Sequence, residues 1–389
     1  MLRDSCLICN SKDLVEVINL GMQPFADTFI PKGKFSDFDK AYPLVCDLCK
    51  NCGQLQLRVV TPADDRYSGV DYSYTSSNSK FSRSHWEKYA KDVSEKVGLE
   101  EGSLIVDIGS NDGYLPKQFD SLGFRTLGVD PSKYMANLAK DLGVETFVGL
   151  FNSETSREIL EKYGKAKLIV ANNVFNHAND ILDFAKGVNS LLDDGGTFVY
   201  ELPYWYDGFK TGKFDQIYHE HVSYFTAKSS KVLMERAGMV ISHIEVVDYH
   251  GGSLRVYAKK KEDLGSHNSI VQEFIDREEA LGLFDPEAYG KFMSEVFKRR
   301  DDFLKKVYEL KSRGKSIIAV GAAAKGNTFL NFYNLDSNVI DYVTDASEHK
   351  KGKYTPLTRI PIEGDEVFGK YNDVYALILS WNIAHILKP

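Results

Sequence analysis

The sequence predicts an α/β protein built on a doubly wound parallel sheet. Between about residues 80 and 260, apolar runs typical of buried strands alternate with amphipathic helical stretches, which is the pattern of repeated βαβ units. The first of these runs leads into a glycine-containing turn, and a second α/β unit begins at Ser316. A chain of 389 residues also exceeds one ordinary domain, so we expect two or three.

The first α/β unit contains five candidate parallel strands and a terminal hairpin. The predicted parallel strands are Leu104–Ile108, Thr126–Val129, Thr146–Val148, Leu168–Ala171 and Thr197–Tyr200. Two further runs, Val240–Val247 and Ser253–Lys259, meet at a Gly-Gly pair and predict an antiparallel hairpin at one sheet edge. Residues 268–313 have helical spacing of apolar positions and predict a helical connector before the second unit.

The composition is that of an ordinary globular protein, with 43% apolar and 26% charged residues. A net charge of −7 argues against nucleic acid or an anionic membrane as the main partner. No apolar run is long enough to span a membrane, and the start MLRDSCLICN lacks the apolar stretch of a signal peptide. We therefore expect a cytoplasmic protein that is a monomer or a small homo-oligomer.

All five cysteines lie within the first 52 residues, and four of them form two C-x-x-C pairs. Two such pairs typically complete a tetrahedral zinc site, and four thiolates leave no open position, so we expect a structural zinc ion. The predicted ligands are Cys6, Cys9, Cys49 and Cys52. Gly53 suits a turn that needs positive φ. Cys46 could form a rival pair with Cys49, which would then exclude Cys52.

The glycine-containing turn after Leu104–Ile108 reads GSNDGYL and leads into a helix. Gly109 and Gly113 allow a ligand to approach the backbone, but the G-x-G-x-x-G dinucleotide pattern is absent. Asp130, about 20 residues later, can accept hydrogen bonds from both hydroxyls of a ribose. Asp112 could face a sulfonium group, which favours S-adenosylmethionine over a dinucleotide; a purely structural turn is the alternative. The predicted cofactor-binding residues are Asp107, Gly109, Asn111, Asp112, Gly113, Asp130 and Asn173.

The segment FDQIYHEHVSYF follows the fifth predicted strand, at the carboxyl end where open α/β sheets place their sites. It brings Tyr218, Glu220 and His221 together, and such a neighbourhood suits proton transfer near neutral pH. His177 follows the fourth strand and should face the same cleft. Zinc binding by the HEH triplet is an alternative, but it lacks the helical H-E-x-x-H spacing. Surface or capping histidines are the other alternative.

The second α/β unit has its own glycine-containing turn, GAAAKGNT. Small residues leave the amides at a helix N-terminus open to an anion, and Lys325 adds positive charge, so the turn suits a phosphate or pyrophosphate. The Walker pattern is not met, and a merely tight turn is an equal alternative. The predicted substrate-binding residues are Lys325, Asn327 and Thr328.

Taken together, these motifs resemble the sugar C-methyltransferases that act on nucleotide-linked 4-keto hexoses in bacterial deoxysugar pathways. The similarity covers nearly the whole chain. The matching segments, in order, are NLGMQPFADTF, YPLVCDLCKNCGQLQL, DYSYTSSNS, VDIGSNDGYL, GVDPS, FDQIYHEHVSYF, GGSLRVY and GAAAKGNTFLN. The most specific is FDQIYHEHVSYF. Family members usually continue a little beyond WNIAHILKP, so we expect the last helix to be clipped.

The resemblance implies a three-domain enzyme with its active site between domains. These are a zinc-binding domain (1–75), a class I S-adenosylmethionine-dependent methyltransferase domain (76–265), and a connector with a Rossmann-like C-terminal domain (266–389). It implies zinc on the four paired cysteines, which leaves Cys46 without a role.

The resemblance also implies His221 as the general base, surrounded by Tyr218, Glu220 and His177. A further active-site tyrosine would be Tyr72, with Tyr74 as a rival for the same match. The expected reaction is methylation of carbon 3 of a nucleotide-linked 4-keto sugar through an enolate. The alternatives are an O- or N-methyltransferase, which needs no carbon base, and a non-catalytic zinc or nucleotide-sugar binding protein.

Overall fold

The computed structural model describes residues 2–62, 66, 75–77, 79–249 and 251–384. Its first part is a small antiparallel sheet, in which β1 (Leu14–Pro24), β3 (Ala41–Cys49) and β4 (Leu55–Leu57) are neighbours. The short strand β2 (Ile30–Pro31) leaves this sheet and pairs with a strand far along the chain. We call β1, β3 and β4 the N-terminal sheet.

The central sheet has seven strands within the described residues. They are β5 (Leu104–Ile108), β6 (Arg125–Asp130), β7 (Thr146–Val148), β8 (Ala166–Asn172), β9 (Leu192–Pro203), β11 (Met239–Val247) and β12 (Ser253–Lys260). The order is β7-β6-β5-β8-β9-β12-β11, with the first five parallel and the last two forming an antiparallel hairpin. All five predicted parallel strands and the hairpin are confirmed, and their apolar runs reflect burial on both faces.

Helices cover both faces of the central sheet, as a doubly wound fold requires. They are α1 (Lys80–Val97), α2 (Tyr114–Asp120), α3 (Lys133–Asp141), α4 (Ser153–Tyr163), α5 (Ile181–Leu191), α6 (Trp205–Thr211) and α7 (Ala227–Arg236). Helices α1 and α2 share one apolar cluster, whereas α4, α5 and α7 contribute to another. Asn152 begins α4 with a capping box completed by Thr155, which explains why the helix starts there.

The predicted connector is confirmed as helices, and a break divides it. After the short α8 (Lys261–Leu264), the helices are α9 (Ile270–Ala280) and α10 (Pro286–Ser312). Gly282 has a φ of +83° in the break, and Asp285 caps α10 ahead of its first residue, Pro286. Proline at the first helical position is compatible with a helix start, because no partner for its missing amide is needed there.

The second α/β unit forms a four-stranded parallel sheet of order β16-β14-β13-β17. Its elements are β13 (Ser316–Val320), α11 (Ala324–Phe332), β14 (Tyr342–Thr344), β16 (Ile362–Glu363) and β17 (Val374–Ile378). Strand β15 (Lys353–Tyr354) is the partner of β2. Single 3₁₀ turns lie at Lys32–Lys34, Phe175–His177, Phe214–Gln216, Asp365–Lys370 and Trp381–Ile383.

The three sheets meet around the FDQIYHEHVSYF segment. Strand β10 (Ser223–Tyr224), from that segment, pairs with β4 and so becomes the fourth strand of the N-terminal sheet. On the other side, Thr328 Oγ1 in α11 donates to the carbonyl of Ile217 at 3.2 Å. The segment is therefore held by both outer parts of the chain. Within the described ranges, no helix is long and apolar enough to cross a membrane.

The turn after β5 depends on close backbone approach. Gly113 has a φ of +79°, and a Cβ there would lie 2.7 Å from the Cβ of Ala139 in α3. Gly143 has nearly the same φ, +80°, but a Cβ there would meet nothing within 4 Å. The two glycines therefore share the backbone requirement, and only Gly113 adds a packing requirement.

We expect Gly113→Ala to destabilise the chain more than Gly143→Ala. The free energy of unfolding of each variant should fall by about 1–2 kcal/mol because a side chain disfavours positive φ. Gly113→Ala should lose a further ~1–3 kcal/mol because the new methyl group overlaps α3. Urea unfolding of both variants measures the difference. Equal destabilisation would show that the close approach of α3 does not require a glycine at position 113.

Candidate active site and metal centre

Two turns of matching geometry carry the paired cysteines. The amide of Asn10 donates to the carbonyl of Cys6 at 3.0 Å, and the amide of Gly53 donates to the carbonyl of Cys49 at 2.9 Å. Asn10 and Gly53 both have positive φ, +60° and +73°. Asparagine tolerates this conformation better than most residues, so each turn has a residue suited to positive φ at the same position.

The turns bring four sulfur atoms together: those of Cys6, Cys9, Cys49 and Cys52 all lie within 4.8 Å of one another. The sulfurs of Cys6 and Cys52, and those of Cys9 and Cys49, are 3.5 Å apart. Zinc–sulfur bonds of about 2.3 Å in a tetrahedron place sulfurs ~3.8 Å apart, so the set fits a zinc ion. Cys46 is buried in β3 outside this set, which excludes its rival pairing.

A cavity of about 370 Å³ lies at the carboxyl ends of β5, β6 and β8. Four of the residues predicted to bind cofactor line it: Gly109, Asn111, Asp130 and Asn173. A Cβ at Gly109 would lie 2.7 Å from Val174, which also lines the cavity, so a side chain at Gly109 would disturb the wall. The carboxyl ends of parallel strands are where open α/β sheets bind ligands.

Asp130 is the acidic group of this cavity. Its carboxylate accepts hydrogen bonds from the amide of Asn111 at 3.0 Å and that of Ser132 at 2.9 Å, which fix its orientation. Burial raises the pKa of this carboxyl, because desolvation disfavours the charged form. An ionised carboxylate has about four acceptor positions, so two remain for the hydroxyls of a ribose. The cavity therefore fits a nucleoside-containing cofactor.

The structure places Asp112 differently from our expectation. Its carboxylate accepts hydrogen bonds from the hydroxyls of Ser76 and Ser77, both at 2.5 Å, and it is not among the residues that line the cavity in the described chain. Direct contact with a sulfonium group is therefore not supported. Asp107 and Gly113 also lie outside the lining, and binding roles for these three residues stay predictions.

His221 is held in one tautomer by its neighbours. Its Nδ1 is 3.1 Å from the carbonyl of Gln216, which can only accept, so Nδ1 carries the proton. Its Nε2 is 2.6 Å from the hydroxyl of Tyr218, which therefore donates to the free lone pair. The two rings lie nearly in contact, with centroids 3.9 Å apart. The basic nitrogen of His221 is thus the one aimed at Tyr218.

His177 links this pair to the cavity. It lines the cavity, and its ring centroid is 4.9 Å from that of His221. Burial lowers the pKa of His221 to about 3. Burial also lowers the pKa of His177 well below its usual range, and the neighbouring His221 and Arg66 add to this shift. Both imidazoles are therefore neutral at pH 7, and neither belongs to the cysteine cluster.

Glu220 does not orient His221, contrary to our expectation. Its carboxylate accepts from the amides of Ala26 at 3.4 Å and Asp27 at 3.2 Å, both in the N-terminal part of the chain. Glu220 and His221 make their hydrogen bonds with different parts of the chain, and the carbonyl of Gln216 takes the orienting role instead. His219 likewise turns to the N-terminal part, with Nε2 3.2 Å from the carbonyl of Gln23.

The predicted substrate-binding residues lie on α11, and two of them are committed to neighbouring backbone. Asn327 donates to the carbonyl of Ala26 at 2.6 Å, and Thr328 donates to Ile217. Both are buried. Lys325 lies with its Nζ 4.6 Å from the ring centroid of Trp381, and burial lowers its pKa to about 8. Tyr72 and its rival Tyr74 lie outside the described residues.

Two participants gave no sequence signal. Arg66 lines the cavity and donates to the carbonyl of His177 at 3.3 Å, although it stands 111 positions earlier in the chain. The acceptor that fixes His221 is a backbone carbonyl, at Gln216, which any residue could supply. Neither contact could be found from residue types and spacing.

We expect denaturation of the purified protein in the presence of a chelating dye to release one zinc ion per chain. Cys49→Ala should lower the zinc content and the melting temperature, because it removes one of four ligands. Cys46→Ala is the matched control and should retain zinc, since Cys46 lies outside the cluster. A metal-free preparation that remains folded, or zinc loss in the control, would contradict the assignment.

Glu220→Gln should flatten the dependence of stability on pH. Burial raises the pKa of Glu220 from 4.5 to about 7, so the folded chain binds this proton more tightly than the unfolded chain. The stability that this proton contributes is fully present below pH 4.5 and is lost as the pH rises through about 7. Glutamine keeps one of the two acceptor oxygens and does not titrate.

Melting temperatures measured between pH 4.5 and 7 test this prediction. Wild type should lose more stability over the range than Glu220→Gln. The exposed Glu273 in α9 offers a control, and Glu273→Gln should follow the wild-type profile. Identical profiles for wild type and Glu220→Gln would show that burial of this carboxyl does not influence folding.

Models of three protein families match successive parts of the chain. A zinc binding domain matches residues 6–67, a methyltransferase domain matches 81–244, and a C-methyltransferase C-terminal domain matches 248–388. The first match covers the cysteine cluster, and the second covers the lining of the cavity at the end of the central sheet except Arg66 and Ser76.

Two relatives and one solved structure are similar to the chain. C-methyltransferase NovU from Streptomyces niveus is 31% identical over 381 residues, which cover 98% of this chain and 90% of NovU. The uncharacterized methyltransferase C70.08c from Schizosaccharomyces pombe is 26% identical over 143 residues, or 36% of this chain and 52% of that protein. The crystal structure of the PH0226 protein from Pyrococcus horikoshii OT3 covers 50% of this chain and 98% of its own, with 16% identity and a TM-score of 0.40. The nearly full-length similarity to NovU shows that the chain belongs to the C-methyltransferase family, as an S-adenosylmethionine-dependent methyltransferase with a zinc-binding N-terminal domain.

Proposed function

We propose that the protein methylates carbon 3 of a nucleotide-linked 4-keto (deoxy)hexose through an enolate, in the biosynthesis of unusual sugars. The observation that carries this proposal is the hydrogen-bonded series from Gln216 through His221 to Tyr218. This series lies beside the cofactor cavity, because the neighbour of His221, His177, lines that cavity. Methylation at carbon requires a carbon nucleophile, and a proton next to a ketone is acidic enough for a neutral imidazole to remove. Bound S-adenosylmethionine supplies an activated methyl group.

In this proposal His221 takes the proton from carbon 3 on Nε2. Its Nδ1–H bond to Gln216 keeps Nε2 unprotonated in the resting enzyme, and burial keeps the whole ring neutral. An imidazole whose conjugate acid has a pKa of about 3 is a weak base on its own. Negative charge on the bound substrate would stabilise the imidazolium and raise this pKa, so the base gains strength when the substrate is in place.

Tyr218 has a second role in this proposal. Before proton transfer its hydroxyl donates to Nε2 of His221 at 2.6 Å. Once Nε2 carries a proton it becomes a donor, and the hydroxyl of Tyr218 is then free to donate to the developing enolate oxygen. His177 lies close enough to His221 to offer an alternative donor to that oxygen. Proton removal and oxyanion stabilisation would thus be coupled through one hydrogen bond.

We also assign roles to residues in and near the N-terminal and C-terminal domains. We place the nucleotide diphosphate near Lys325, with Asn327 holding α11 against Ala26 of the N-terminal part and Thr328 holding it against Ile217 of the FDQIYHEHVSYF segment. Tyr72 is retained as an active-site residue, and Glu220 as an anchor of the segment to the N-terminal part. We also retain the division into domains at 1–75, 76–265 and 266–389.

We expect His221→Asn to lower turnover by about 10²–10⁴, the usual contribution of a general base. In D₂O without the methyl donor, wild type should also exchange the hydrogen at carbon 3 of a nucleotide-linked 4-keto sugar for deuterium. His221→Asn should lose this exchange. Mass spectrometry of the recovered sugar measures it.

The control for this experiment is His243→Asn, a half-exposed histidine on the edge strand β11. It should show wild-type turnover and exchange. Unimpaired turnover in His221→Asn would exclude the role of His221. Methyl transfer to a sugar oxygen or nitrogen, with no exchange at carbon in the wild type, would exclude carbon methylation itself.

A further inference from the structure

Two lysines from distant parts of the chain converge on one indole ring. The Nζ of Lys213 lies 4.9 Å from the ring centroid of Trp381, and the Nζ of Lys325 lies 4.6 Å from the same centroid. Lys213 follows α6 in the central part of the chain, whereas Lys325 is in the first turn of α11 and Trp381 follows β17. Nothing in the proton chemistry described above uses Lys213 or Trp381.

The indole is held firmly in this position. Its Nε1 donates to the carboxylate of Asp215 at 2.5 Å, and Asp215 is buried. Gly251 approaches the other part of the ring so closely that a Cβ there would lie 2.8 Å from it. The carbonyl of Gly251 also accepts a hydrogen bond from Lys213 at 2.7 Å. The hairpin turn of the central sheet therefore shapes the same cluster.

Two ammonium groups meet at the indole ring, and the carboxylate of Asp215 in the cluster is already bound to that indole. The half-buried carboxylate of Asp207 also attracts Lys213, together with Lys210 and Arg277. Burial lowers the pKa of Lys325; the carboxylate of Asp215 opposes this shift, and the charge of Lys213 adds to it. Two cations kept close together in a partly desolvated place are stabilised by an anion, and a charge-assisted bond to phosphate oxygen is strong there.

The cluster is also near the proposed base. Thr328, one turn after Lys325 in α11, donates to the carbonyl of Ile217 at 3.2 Å, which places the start of α11 beside the segment that carries Tyr218 and His221. Lys213 immediately precedes that segment, and Asp215 lies within it. A molecule with an anionic group on the lysines and a sugar attached to it would therefore extend toward the base.

We propose that Lys213, Lys325 and Trp381 form a clamp for the diphosphate of the substrate, with Lys213 supplied by the methyltransferase domain and Lys325 by the C-terminal domain. The identity of the substrate rests on the proposed function. Because the two cations come from different sheets, diphosphate binding would join the C-terminal sheet to the central sheet. Asn382, which accepts a hydrogen bond from Lys325, would lose that bond or share it when the anion is present.

Binding of inorganic pyrophosphate to the full-length, zinc-loaded protein, without sugar or methyl donor, tests the clamp. Calorimetry gives the affinity, and tryptophan fluorescence reports on Trp381, since the other two tryptophans, Trp86 and Trp205, are buried in the cores. Lys213→Met and Lys325→Met should each weaken binding by about tenfold or more, because each removes a charge-assisted bond.

Lys213→Arg keeps the charge and should bind pyrophosphate within a few-fold of wild type, which separates charge from packing. Lys210→Met is the matched control. Lys210 lies three residues before Lys213, at the end of α6, with its ammonium group over the ring of Tyr206, so this substitution should not change the affinity. Wild-type affinity in folded Lys213→Met would overturn the proposal. Equal weakening by Lys210→Met would also overturn it, because it would show only a general response to charge.

The clamp and the proposed reaction can fail separately. If pyrophosphate binding depends on Lys213 and Lys325 but no 4-keto sugar is methylated, the clamp stands and the reaction is wrong. If carbon methylation and deuterium exchange occur while binding is indifferent to Lys213, the reaction stands and the clamp is wrong. With both correct, Lys213→Met should raise the KM for the sugar nucleotide more than it lowers kcat.

Discussion

The imidazole of His221, buried and tied through Nδ1 to the carbonyl of Gln216, is the interaction on which the rest of the site depends. It determines which nitrogen is basic, and it directs that nitrogen at Tyr218. Burial alone would only weaken a base. Combined with a fixed tautomer, it gives a neutral imidazole with one defined basic nitrogen, next to His177 in the cavity wall.

The zinc site is connected to this imidazole through paired strands. Four thiolates around one ion hold the ends of β3 and the start of the chain together, and β4 lies beside β3. The pairing of β4 with Ser223–Tyr224 then fixes the position of the chain two residues after His221. Glu220 and His219 add hydrogen bonds to the same N-terminal part. Four cysteine ligands leave the metal no open position for substrate, so its role in this structure is to hold these strands in place.

Two glycine turns in this chain are built alike but suit different ligands. Asp130 and Asp345 each accept one amide from the preceding turn and one from the residue two positions further on. Lys350 lies 4.0 Å from Asp345 and balances its charge. Asp130 lines an open cavity instead. The first turn therefore suits the ribose of a cationic cofactor, whereas the second, with its charge balanced and Lys325 in its helix, suits an anionic substrate.

The sequence by itself determined the strands of the central sheet, the helical connector, the second α/β unit and the four zinc ligands, because apolar periodicity and cysteine spacing are properties of neighbouring residues. It also placed His221 beside Tyr218. Only the tertiary structure decided that Gln216 orients His221, that Glu220 faces away from it, and that Lys213 meets Trp381. Such contacts join residues far apart in the chain or use backbone atoms, which are the same in every residue and leave no pattern in the letters.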